Sequence, residues 1–91
     1  MSYIKRIQEL LKEKNGLDLN VEQIKEIDNP TELLEFLEND IPIEFEWTFT
    51  FSTRIFDQSF EGAKNFIEVN LYLSDLDQDE IIWNPIWQPL F

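Results

Sequence analysis

The segment Ile43-Glu44-Phe45-Glu46-Trp47-Thr48-Phe49-Thr50-Phe51-Ser52 decides the fold. Apolar residues alternate with polar ones over its whole length. A side-chain period of two is that of an extended strand with one greasy face and one wet face. Ile67, Val69, Leu71 and Leu73 alternate in the same way with Glu68, Asn70, Tyr72 and Ser74, so a second strand is expected over 66–74. The two are expected to pair antiparallel, with their apolar faces covered by helices. Residues 53–65 between them are long for a hairpin connection; they hold either a short extra strand or a working loop. Asp75 to Asp79 reads as a turn, and Glu80-Ile81-Ile82-Trp83 as a candidate third strand.

Upstream of this segment the period changes to that of helices. Ile4, Ile7, Leu10 and Leu11 form one stripe, Lys12 and Lys14 suit the negative end of a helix dipole, and Asn15-Gly16 supplies a left-handed stop. A first helix is expected at 3–14. Asn20 and Gln23 have the spacing of a capping box, with Leu19 and Ile24 as the staple around it, and predict a helix at 21–27. Asn29-Pro30 opens a third at 30–38, whose buried stripe is Leu33, Leu34 and Leu37. The resulting fold class is α+β: two or three N-terminal helices (residues 1–40) on a small antiparallel sheet of about three strands (41–91), all in one domain.

Downstream, Trp83-Asn84-Pro85-Ile86 and Trp87-Gln88-Pro89-Leu90 form a small repeat of aromatic, polar, proline and aliphatic residues, closed by Phe91. Pro89 rules out a continuous helix, so an extended or turn-rich tail is expected.

The composition narrows the function. The 91 residues contain neither cysteine nor histidine. A serine has no imidazole base, and metal sites lose their commonest nitrogen and sulfur ligands. Glu44 and Glu46 share a strand face ~6.5–7 Å apart, a separation that alone suits glycoside inversion, but a domain this small has no room for a sugar cleft. Asp75-Leu76-Asp77-Gln78-Asp79 opens like a calcium-binding loop, yet its sixth position is Glu80 instead of glycine and its twelfth is Ile86 instead of glutamate. No cofactor, metal or catalytic centre is expected. The N-terminal segment lacks a signal-like apolar run and no stretch is long enough to span a bilayer, so a cytoplasmic protein is expected.

The net charge is −12. Residues 1–16 hold four basic and two acidic side chains; residues 17–91 hold three basic and seventeen acidic ones. A field of this sign repels nucleic acid and anionic membranes and attracts basic proteins. The second and third helices resemble the spacing of a helix-turn-helix, but the third carries Glu32, Glu35 and Glu38 and no cation, which excludes a DNA reader.

What remains is a binding surface. The expected contacts are Glu44 and Glu46 on the first strand, Asp57 and Glu61 in the connection, Glu68 and Tyr72 on the second strand, and Asp75, Asp77 and Asp79 in the turn, forming one acidic patch on the open sheet face. Trp83 and Trp87 are either anchors for a partner or a strap over the core. The function expected is a non-enzymatic inhibitor that blocks a basic protein such as a nuclease or another nucleic-acid-binding effector, in the manner of toxin-immunity or phage anti-defence proteins that mimic nucleic-acid charge. The alternative is a general interaction module that docks through its tryptophan- and proline-rich C-terminus onto another protein or a second copy of itself.

Overall fold

The computed structural model describes residues 2–50, 53–73 and 76–90. Its elements run α1 (Tyr3–Asn15), α2 (Val21–Glu26), α3 (Pro30–Glu38), β1 (Ile43–Phe49), β2 (Thr53–Asp57), α4 (Phe60–Leu71), a single 3-10 turn (Gln78–Glu80) and β3 (Ile81–Pro89). The architecture is α+β, with helices packed on one face of an open three-stranded antiparallel sheet of order β2-β1-β3.

The three N-terminal helices form where their caps place them. Gly16 adopts φ 66° and its N–H closes α1 on the Leu11 and Lys12 carbonyls, a conformation that costs glycine nothing. Both halves of the Asn20–Gln23 capping box are present, and Leu19 and Ile24 are buried beside it. Asn29 departs from expectation. It sits in the left-handed region (φ 46°) with no side-chain hydrogen bond to α3, so Pro30 alone marks that helix start.

Two strand assignments need correction. β1 ends at Phe49, because Thr50 turns with φ 57°, and Phe51 and Ser52 lie outside the described residues. Residues 60–71 are a helix and not a strand. The Ser59 hydroxyl accepts from the Gly62 N–H (3.1 Å), Glu61 occupies the first turn where the dipole favours an anion, and Ala63 and Ile67, four apart, are fully buried. Val69 and Leu71, which complete the period-two pattern, are exposed. Their alternation therefore reflects a helix with apolar residues on its outer side as well.

β1 is accordingly the central strand, paired with β2 from the connection and with β3 from the tail. β2 and β3 both run antiparallel to β1, so α4 carries the chain across the sheet between two parallel strands separated by β1. Phe45 faces Trp87 and Trp47 faces Trp83, so a four-residue step on β3 matches a two-residue step on β1. Asn84, Pro85 and Ile86 thus form a bulge opposite Glu46, and the even number of extra residues keeps the in–out alternation intact.

Both prolines of the repeat fall on the outer edge of β3. The Leu90 N–H donates to the Pro42 carbonyl (2.8 Å), so the neighbouring Pro89 turns its backbone away from β1. The Pro85 carbonyl accepts from the Asp28 N–H (3.0 Å) in the α2–α3 connection, so it too faces outward. An edge without these donors resists pairing with another chain.

The core is one layer between sheet and helices. Ile43, Phe45, Trp47 and Phe49 from β1 and Ile81 from β3 meet Ile7, Leu10 and Leu11 of α1, Ile24 of α2, Leu33 and Leu37 of α3 and Ala63 and Ile67 of α4. Phe45 is fully buried at the centre.

Candidate protein-binding surface

The opposite face of the sheet carries the even-numbered side chains of β1: Glu44, Glu46 and Thr48. Residues paired across an antiparallel sheet share a face, so Phe56 and Arg54 of β2 and Ile82 and Gln88 of β3 join them. Alternation from Trp87 adds Ile86. No helix of the core cluster covers this side.

Glu46 is only 8% exposed although it lies on the open face, because Phe56 stands beside it on β2 and the bulge beside it on β3. The Asn84 amide donates to Glu46 Oε1 (3.0 Å) and also to the Thr48 hydroxyl. The Gln88 amide donates to Glu44 Oε1 (2.7 Å). Each carboxylate is therefore held in place by a neutral carboxamide, which fixes its geometry and leaves its charge intact.

Among the described residues no cation pairs with either carboxylate, although Arg54 stands on the same face. Among the described residues three ion pairs form: Arg6–Glu9 (3.9 Å), Lys25–Glu22 (3.8 Å) and Lys14–Asp40. All lie within residues 6–40, and none includes a carboxylate beyond Asp40. Exposed apolar area borders the two glutamates, with Ile82 59% and Ile86 44% exposed and Phe56 also open to solvent. The face thus has two carboxylates at its centre, apolar side chains at its flanks and Arg54 beside Thr48.

The remaining acidic positions do not gather here. Asp57 lies at the end of β2, where its carboxylate accepts from the Ser59 N–H (3.3 Å) and packs so closely on Gly62 that a Cβ there would overlap it. It orders the start of α4. Glu61 is exposed and Glu68 half-buried on α4, which packs on the other side of the sheet. Tyr72 ends α4, instead of standing in a strand row, and is almost fully exposed. Asp77 and Asp79 are exposed in the connection leading to β3, and Asp75 lies outside the described residues. The single patch expected from the alternating pattern is in fact two regions, because α4 takes Glu61, Glu68 and Tyr72 off the open face.

Trp83 and Trp87 both turn toward the core. Trp83 lies 5.6 Å from Phe45 and Trp87 5.3 Å from Phe36, ring centre to ring centre, and the Trp87 indole donates to the Asp28 carbonyl. The Trp83 indole N–H is buried without an acceptor among the described residues, and packing on Phe45 holds that ring. The third indole, Trp47, donates to the Asp57 carbonyl (3.1 Å). The apolar contributors to the open face, Phe56, Ile82 and Ile86, carried no sequence signal apart from their register with β1.

Comparison with protein families, characterised proteins and solved structures finds no match for this chain.

Proposed function

We propose that this chain is a non-enzymatic, acidic inhibitor that binds a basic surface of another protein through the open face of its sheet. The partner class that fits is a nuclease or another nucleic-acid-binding effector, whose functional surface must itself be cationic. Toxin-immunity and phage anti-defence proteins act in this way.

The observation that carries the proposal is the state of Glu44 and Glu46. Two carboxylates are fixed on the central strand by Gln88 and Asn84, and among the described residues neither is ion-paired, not even to Arg54 on the same face. Arginine or lysine side chains from a partner would complete charge-assisted bonds to Glu44, which is half-exposed and already oriented, so little ordering entropy is lost on binding. The buried Glu46 beside it adds to the field that draws them. Phe56, Ile82 and Ile86 add apolar area around this centre. The uncompensated charge of the whole chain steers a cationic partner to it.

The test is to identify the partner captured by the intact chain and measure its affinity against salt. Kd is expected to weaken at least tenfold between 0.05 and 0.5 M salt. Glu44→Lys with Glu46→Gln is expected to weaken it further at low salt, and wild-type protein to displace nucleic acid from the partner. An affinity flat in salt and indifferent to Glu44→Lys would return this surface to the class of apolar docking modules.

A further inference from the structure

Tyr72 is placed where neither conformation nor packing within the chain selects a tyrosine. It ends α4 with φ 54° and ψ 38°, the left-handed conformation that glycine or asparagine adopts at little cost and a bulky residue does not. Its side chain is 91% exposed, and among the described residues it has no hydrogen-bonding or aromatic partner. Apolar side chains surround it on the chain: Phe66, Val69 and Leu73 are 48%, 61% and 38% exposed. Phe66 and Val69 stand three apart on one side of the helix.

The field at this corner is negative. The last turn of α4 contains no basic residue to offset the carbonyl end of its dipole. Glu68 stands one turn before Tyr72, and no cation of the chain pairs with it among the described residues. A second copy of the chain would bring the same charge to its own surface, so self-association here is opposed. The side chain that satisfies both an aromatic face and a carboxylate is arginine, whose planar guanidinium stacks on the one and forks onto the other.

We propose that the C-terminal corner of α4, with Tyr72 as its anchor, is a second contact that takes an arginine-bearing segment of the partner. This rests on the reading that the partner is cationic. It adds a surface on the far side of the sheet, so the partner grips the domain at two separated places.

The test uses the full chain and two probe peptides, nona-arginine and nona-lysine, titrated in 0.15 M salt and followed by amide NMR. Amides of residues 66–73 are expected to shift with nona-arginine and less with nona-lysine. Tyr72→Gly is expected to raise Tm by about 4–8 °C by relieving the left-handed tyrosine, yet to weaken nona-arginine about three- to fivefold. Tyr72→Phe keeps the ring and is expected to bind within twofold of wild type. Equal affinity of wild type and Tyr72→Gly, or equal response to the two peptides, overturns the corner as an arginine site. In that case a Glu44→Gln, Glu46→Gln variant that still loses affinity leaves the sheet-face proposal standing. Failure of both peptides to bind anywhere overturns both proposals.

Discussion

Asn84→Ala is the most informative single change to the open face. Asn84 holds the carboxylate of Glu46, whose burial leaves it only 8% exposed, and its other bond is to Thr48. A hydrogen bond to a charged, largely buried group is worth about 1.5–3 kcal/mol, and its loss strands the acceptor away from water. With a urea m-value of ~1.5 kcal/mol per molar for a domain of this size, the unfolding midpoint is expected to fall by about 1–2 M. The Gln88–Glu44 bond is exposed, so Gln88→Ala is expected to cost only about 0.5 kcal/mol, with water replacing the lost donor. Thr48→Val separates the two bonds of Asn84, and most of the cost is expected to persist in that background. Because asparagine is neutral, raising salt from 0.05 to 0.5 M is expected to change the cost by less than about 0.5 kcal/mol. A cost for Asn84→Ala below about 0.5 kcal/mol, or one that vanishes in high salt, would refute the idea that a neutral amide holds Glu46 on this face.

Two further outcomes follow from the core and the caps. Phe45→Ala removes a fully buried ring from the middle of the central strand and is expected to cost about 3–5 kcal/mol, measured by urea or thermal unfolding; that is a large share of the ~5–14 kcal/mol total of a 91-residue domain. Ser59→Ala deletes the hydroxyl that accepts from Gly62 at the start of α4 and is expected to cost about 0.5–2 kcal/mol, with amide exchange accelerated first in residues 60–63.

The legible parts of this fold were those fixed by local chemistry. Gly16, the Asn20–Gln23 box and Pro30 mark helix boundaries because their effects act within one turn, and the structure follows them to within a residue or two. The alternation of Ile43 to Phe49 marks the central strand because both periodicity and burial agree there. At 66–73 they disagree. Val69 and Leu71 are apolar but exposed, so a pattern method counts them as core and reads a strand, while the Ser59 cap and the Ala63–Ile67 spacing, which decide the helix, are weaker in sequence than in space. The candidate surface was half legible for the same reason. Glu44 and Glu46 follow from the alternation of β1, but their amide partners lie 38 and 44 residues away and depend on a two-residue bulge that no local pattern announces. By alternation alone Tyr72 reads as part of a strand row; its position at the end of a helix is visible only once α4 is known.

The prolines of β3 also govern how these molecules can meet one another. Pro85 and Pro89 remove donors from one rim of the sheet, while β2, the opposite rim, contains no proline and keeps its donors. Among the described residues, each molecule therefore offers a single rim for strand addition. Contact through that rim joins two molecules and leaves no free rim on either, so the association is self-limiting and cannot propagate into a fibre. A partner strand laid along β2 would likewise be the last to join, which sets one-to-one stoichiometry for any complex that extends the sheet.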